Sequence, residues 1–398
     1  MADIRSYRKE KEKREQSRNN YKLKIMRYKL TNVYRVLLVA AAFLAIIALV
    51  MVQYKRHIYS GYDIVSTIAI ESSSNAENRR LQNSILTYSK DGAHCTNGKG
   101  EVTWNQTYEI QNIKLAICRN VVAIGNYNGR EIYVQDTDKQ LGTINTNLPI
   151  HDITVSATGN VTAILSDADV AKIKAYDVTG KELFSGEASM KETGYPVSIC
   201  LSPNGELLGV SYIYLDAGTL TTNLCFYNLD SVGDGKEDRI VGIYFYPEVL
   251  VPEIHFMNDE TAFAVGDDRL VIFKGGHIPV NTGTYMLDRE VRSVYYNEKY
   301  IGLVFGADDM EHNYMMDVYN ADGKKVDTYY FDMDYQDIFF EEEGFVVYND
   351  SECLIMTYGG VEKFNGYFSK TADLLFPANG AYKYVMVTEN SIDTIQLK

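Results

Sequence analysis

No two of the chain's five cysteines, Cys95, Cys118, Cys200, Cys225 and Cys353, form a CxxC pair, and no His/Cys cluster at metal-ligand spacing accompanies them. That leaves no footing for a zinc module or a dithiol oxidoreductase. A Gly-rich phosphate loop, a GxSxG nucleophile elbow and an HExxH helix are also missing, so the usual hydrolase and nucleotide-binding signatures are excluded. Beyond Gly61 no long helical pattern occurs, and residues 1–35 contain neither proline nor glycine. The absences narrow the function classes more than any motif present does.

What is present begins with residues 36–52, VLLVAAAFLAIIALVMV, which carry no charged side chain. At ~1.5 Å per residue they span roughly 25 Å, close to the ~30 Å hydrocarbon thickness once Tyr34, Arg35, Gln53 and Tyr54 are added. The run divides the chain electrostatically. Up to Ile58 there are fourteen Lys+Arg and four Asp+Glu, about +10, so a total of -14 leaves about -24 for the remainder. A cleaved signal peptide would need an n-region of about 35 residues, and no small-x-small site follows. The expectation is therefore a cytoplasmic basic arm (1–33), a transmembrane helix (34–54) and an extracytoplasmic domain (55–398), because twelve basic residues precede the span and two closely follow it. Ile25, Met26 and Leu30, with Tyr21 and Tyr28, give the arm an amphipathic stretch suited to anionic lipid.

The remainder reads as short strands rich in Val, Ile, Tyr and Phe, separated by Gly, Asn and Asp. Cut before each acid-Ile-x-apolar segment, it repeats about every 40 residues: NIKLAIC from Asn112, DITVSAT from Asp152, PVSICLS from Pro196, EIHFMND from Glu253, EVRSVYY from Glu290, DIFFEEE from Asp337 and DLLFPAN from Asp373. A turn and a second apolar strand follow each, as in NVVAIGN, NVTAILS and TAFAVGD, and then a hairpin such as YDVTGKELF. In Ser202-Pro203-Asn204-Gly205 proline presets the first turn dihedral and glycine accepts positive φ. Four short strands per unit predict an all-β β-propeller of about eight four-stranded blades, with seven as the alternative if the weak first unit (78–110) is not a blade. The last unit has room for three strands, and residues 62–70, of strand composition, are expected to supply its fourth and close the ring.

The hairpins YDVTGKELF and GKGEVTW resemble those of quinoprotein-type and YVTN-type propellers, and LSPNGELLGVS resembles a strand-turn-strand common to many propeller families. The whole arrangement is similar to a family of single-span, membrane-anchored propellers of unknown function from clostridia and related Gram-positive bacteria. The resemblance implies a fold and no activity. The chain departs from the full quinoprotein repeat because one unit alone has the blade tryptophan, Trp104.

One column of the repeat carries charge. Asn112, Asp152, Pro196, Glu253, Glu290, Asp337 and Asp373 stand just before innermost strands, near one mouth of the central channel, and five of the seven are carboxylates. Either each accepts backbone N–H groups in the turn entering its strand, or Asp152, Glu253, Glu290, Asp337 and Asp373 together concentrate a cation or basic ligand. His151 and His255 adjoin the column as rim or core residues. The loop at Asp230, Asp234 and Asp238 resembles a calcium loop but offers Val232 at position 3 and Val241 at position 12, so it supplies too few oxygens. Cys118 and Cys200 end first strands and the other thiols lie in third strands, roughly 9 to 10 Å away across a sheet, which predicts buried unpaired thiols. The reading is a non-catalytic, membrane-tethered scaffold or sensor binding a protein, peptide or cell-wall polymer, with lipid as a second partner and no nucleic acid. No catalytic residue is named and no cofactor is required. The alternative is a calcium-dependent hydrolase or lyase at the channel mouth.

Overall fold

The computed structural model describes residues 4–70, 75–168, 170–189, 193–216 and 218–398. The chain divides into two compact units, Met1–Ile58 and Tyr59–Lys398.

The first unit is one α-helix, Ile4–Arg56. Freedom from glycine and proline, with many Lys, Arg, Glu and Leu residues, permits so long a run. The helix contains a stretch long and apolar enough to cross a membrane by length and composition; a signal sequence near an N-terminus meets the same test.

The second unit is a propeller of eight four-stranded antiparallel sheets. Blades 1 to 7 are residues 77–107, 113–145, 150–188, 195–247, 253–286, 293–331 and 337–367, each with its strands in sequence order. Residues 77–107 thus form a complete blade, and the seven-blade alternative falls. Blade 8 combines 374–397 with the strand Tyr62–Ala69, which pairs antiparallel with Ser391–Leu397, Tyr62 opposite Leu397 and Ala69 opposite Ser391. The two chain segments are also tied by an ion pair between Asp63 and Lys398.

Second strands are the most buried, throughout in Thr261–Val265 and Gly344–Tyr348, because a neighbouring blade covers each face. That requires continuous apolar sequence in place of alternation. Fourth strands alternate, as in Val280–Met286, because their edge faces water. Every interface between neighbouring blades holds its own apolar cluster, with nine to thirteen buried side chains at seven of them. Among the described residues the eighth, between blades 8 and 1, has five: Ile85, Leu374, Phe376, Val387 and Ile392.

Polar-tipped aromatics on the fourth strands of blades 1, 4, 5 and 6 pin each of these to the next. Trp104 Nε1 donates to the carbonyl of Asp136 at 2.6 Å. Where tryptophan is missing, tyrosine does the same: Tyr244 to Pro279 (2.7 Å), Tyr285 to Asp322 (3.0 Å) and Tyr329 to Tyr358 (2.9 Å). Glycine stands two residues from two of these rings, at Gly242 and Gly283, and two from Phe184 and Phe364, at Gly186 and Gly366. Residues i and i+2 share a strand face, so the absent Cβ gives the ring room to lie along the strand. The Ser202–Gly205 turn forms as its sequence requires, with Gly205 at φ +78° donating to the Ser202 carbonyl at 2.8 Å.

Candidate site in the axial channel

First strands are innermost, and those of blades 1, 2, 6, 7 and 8 line an axial cavity of about 510 Å3. Its walls are largely apolar: Ile117, Tyr295, Phe339, Leu374, Leu375 and Phe376. The charged lining consists of Asp337 and Asp373 on blades 7 and 8 and Arg79 and Arg80 on blade 1.

Of the five column carboxylates the structure brings two, Asp337 and Asp373, to this cavity. Asp152 is neutralised from the neighbouring blade by Lys114 at 3.2 Å. Glu253 lies 3.2 Å from His255 on its own strand. Glu290 stands three residues ahead of its innermost strand, Ser293–Tyr296, so its exposed carboxylate misses the column. Asp337 accepts the N–H of Ile338 at 2.8 Å, the turn bond that such a position favours. Its burial nevertheless pushes the carboxyl up, against the N–H of Ile338, the Arg79 charge and the Tyr348 hydroxyl. Asp373, exposed at the rim, is also pushed up, by partial desolvation and then by the charge of Glu389. Gln336 Nε2 donates to the Asp373 carbonyl at 3.3 Å and joins the two blades at the rim.

The opposite end of the channel is bridged. Arg119, after the first strand of blade 2, reaches Glu298, after the first strand of blade 6, at 2.8 Å. In a ring of eight these blades stand opposite each other, so the ion pair crosses the axis. Asn258 of blade 5 donates to the Glu298 carbonyl at 3.2 Å and fixes the bridge from the side. Above it Tyr296 packs on His255 and Phe263, with ring centroids 4.9 and 5.1 Å away. Although 42% of Tyr296 stays accessible, packing among these rings desolvates its phenol and pushes it up, reinforced by the nearby Cys200 and Cys118 thiols and by Glu253. Deeper on the blade 7 to blade 1 side, Arg80 lies over the Phe376 ring at 5.7 Å. Partial desolvation of its guanidinium lowers the pKa although the residue as a whole is exposed, while Glu341, itself pushed up by burial, acts in the other direction.

Sequence reasoning missed Arg79, Arg80, Arg119 and Glu298. Arg79-Arg80 was visible as a charged pair in the middle of a first strand where the other units are mostly apolar. Nothing in the sequence signals that loops 179 residues apart meet across the axis.

The candidate calcium residues do not converge. Asp230 precedes a short turn, Ser231–Asp234, without a side-chain capping bond, and Asp234 is taken by Arg239 at 2.6 Å. Asp238 sits in the next turn at φ 50°. No group of three His, Cys, Asp or Glu able to hold a metal ion occurs among the described residues. The residues thus do not fit calcium, which takes about 6–8 oxygens. All five cysteines are free; four are buried, and Cys118, at the channel end, is half-buried. A second cavity, about 830 Å3, opens in the wedge between blades 8 and 1 and shares Asp373 with the first.

No curated protein sequence matches the chain. Solved structures match its fold. BamB from Moraxella catarrhalis superposes with a TM-score of 0.50 at 12% identity, covering 84% of this chain and all of that one. Sqt1 from Saccharomyces cerevisiae gives 0.51 at 8%, covering 86% and 99%. Apo AztD from Citrobacter koseri gives 0.52 at 9%, covering 78% and 90%. At these identities the likeness concerns the propeller alone. A family model matches residues 54–397, nearly the whole folded unit, and the chain belongs to that family, described as a family of unknown function (DUF5711).

Proposed function

We propose that this protein is a membrane-tethered binding module whose propeller takes a partner at the rim of its axial cavity, outside the membrane, and performs no chemistry on it. The observation that carries the reading is a channel bridged at one end by Arg119 and Glu298 and open at Asp337 and Asp373. Such a channel is narrowed at its far end by one ion pair, which suits a compact group or a chain end entering from the rim. The apolar lining with few polar groups suits recognition. Tethering is supported by the apolar run 36–52 and by the excess of Lys and Arg before it, which orients the N-terminus to the cytoplasm and lets the arm lie on anionic lipid. The partner is a protein, peptide or cell-wall polymer.

The test uses the full chain in its own membrane, with a photo-crosslinking residue placed at Gln336 on the rim or, as a control, at exposed Met286 on an outer strand. A discrete adduct from position 336 alone, lost in the Asp337→Asn/Asp373→Asn variant, supports the reading. Equal adducts from both positions, or an adduct indifferent to the variant, refute it. Orientation is read separately from thiol labelling of intact cells with a single added cysteine at Ser6 or at Ser60.

A further inference from the structure

We infer that the wedge between blades 8 and 1 is a second binding site, which takes a neutral saccharide with its hydroxyls on the row Asn78, Thr87, His94 and Asn105 and its C–H face against Ile70, Val387 and Ile392. The inference does not depend on the axial rim.

The register of blade 1 puts the row on one face. Asn78 stands opposite Thr87, Thr87 opposite His94 and His94 opposite Asn105, so the four side chains cross all four strands with Cβ atoms about 4.5–5.5 Å apart. All four line the cavity of about 830 Å3. The equivalent row of blade 2 is Leu115, Ile124, Tyr133 and Thr143, and its first three side chains fill the interface with blade 1. Blade 1 therefore carries hydrogen-bonding groups where its neighbour carries packing groups, and the seam holds a cavity where other interfaces hold a core. The fold makes little use of those groups. Among the described residues the row's one side-chain hydrogen bond runs from Thr87 Oγ1 to Asn78 Oδ1 at 2.7 Å, and the His94 ring and the Asn105 amide make none.

The lining selects the ligand. Amides, a hydroxyl and an imidazole kept neutral by partial desolvation offer both donors and acceptors, as sugar hydroxyls do. Ile70, Val387 and Ile392 on the blade 8 side give the aliphatic wall that a pyranose C–H face covers. No lysine or arginine lines the wedge, and Asp373 and Glu389 border it, so phosphates and anionic sugars are disfavoured. An extended peptide would pair with a strand edge. Both walls here are sheet faces, which offer no backbone ladder.

An array of neutral and anionic glycans, probed with the full chain in lipid nanodiscs, tests this. Neutral glycans are retained and anionic ones are not. His94→Ala and Asn105→Ala each weaken retention about fivefold at unchanged melting temperature, while Asn365→Ala, on the fourth strand of blade 7, does not. Asn105 is exposed on a fourth strand, so its variant reads the contact should the His94 change disturb the blade. No retained neutral glycan, preference for anionic glycans, or an equal loss in Asn365→Ala overturns the inference. A loss in Asp337→Asn with none in Asn105→Ala places the glycan in the axial cavity and overturns its assignment to the wedge.

Discussion

Asp393 is fully buried in the third strand of blade 8, opposite Thr67 of the N-terminal strand, and its Oδ2 lies 2.6 Å from Lys370 Nζ. Burial alone would push the carboxyl up. The Lys370 ammonium and the hydroxyls of Thr67 and Ser391 outweigh it and hold the group below its usual range. Removing one member of a buried pair typically costs ~3–5 kcal/mol. Lys370 is 40% exposed, so solvent screens part of its attraction, and Lys370→Met is expected to cost about 2 kcal/mol. At about 2.1 cal/mol/K per residue, the 340 residues from Tyr59 to Lys398 give an unfolding entropy near 0.7 kcal/mol/K, so the melting temperature falls by about 3 °C. Asp393→Asn leaves no stranded charge and should cost about 1 kcal/mol. The pH dependence carries the sign. In the wild type the folded value is depressed, so the pair's contribution is complete above the unfolded value near 4 and is lost as pH falls through the folded one. In Lys370→Met burial has no opposing cation, the folded value rises above the unfolded one, and the deficit shrinks as pH falls through it. Thermal melts of both variants at pH 8 and pH 5 check this. Equal deficits for the two variants, or a Lys370→Met deficit that does not change with pH, would refute the account.

Two further outcomes follow from close approaches elsewhere. Arg119→Ala should open the channel floor and speed maleimide labelling of half-buried Cys118 at least fivefold, although losing the cation disfavours its thiolate; an unchanged rate means that the bridge does not control access. A Cβ at Gly142 would stand 1.9 Å from the Val178 carbonyl of the next blade, so Gly142→Ala should cost ~2–3 kcal/mol, read as a lower urea midpoint, while Gly235→Ala, which meets nothing within 4 Å, should leave it in place.

The blades were legible because each second strand is covered on both faces and must be apolar throughout; NVVAIGN and TAFAVGD announce their burial residue by residue. The closing strand was legible for a related reason, since a last unit with three strands leaves an edge that YDIVSTIA can fill. The channel was not. Whether a column acid faces the cavity with a free carboxylate depends on its neighbour around the ring, and Lys114 silences Asp152 from another blade. Glu290 looked like a column member because the unit was aligned on its acid, but that strand starts at Ser293 and shifts the carboxylate out. The departure from the quinoprotein repeat has a structural counterpart, because the role of Trp104 passes to Tyr244, Tyr285 and Tyr329, with glycine two residues away in the first two cases.

Closing a ring with strands from both chain ends concentrates its weakness at one interface. Five described apolar side chains are buried between blades 8 and 1, against at least nine at every other interface. At about 1.5–3 kcal/mol for each fully buried side chain, the four-residue difference amounts to several kcal/mol less cohesion. The 830 Å3 wedge lies at the same place. Ile68 of the closing strand partly compensates by packing over Gly100 of blade 1, so close that a Cβ there would meet its Cγ2 at 2.6 Å. The ring should therefore open at this seam first, with Tyr62–Ala69 and Glu77–Leu81 detaching before blades 3 to 5. Native-state hydrogen exchange with peptide resolution tests the order. Exchange in those two strands ahead of the second strands of blades 3 to 5 is expected, and uniform exchange around the ring would mean that the ladder with Ser391–Leu397 offsets the thin core. Because Asp373 borders both the wedge and the axial cavity, a ligand held at the rim should also slow exchange in the closing strand, which couples occupancy of the axial cavity to cohesion of the seam.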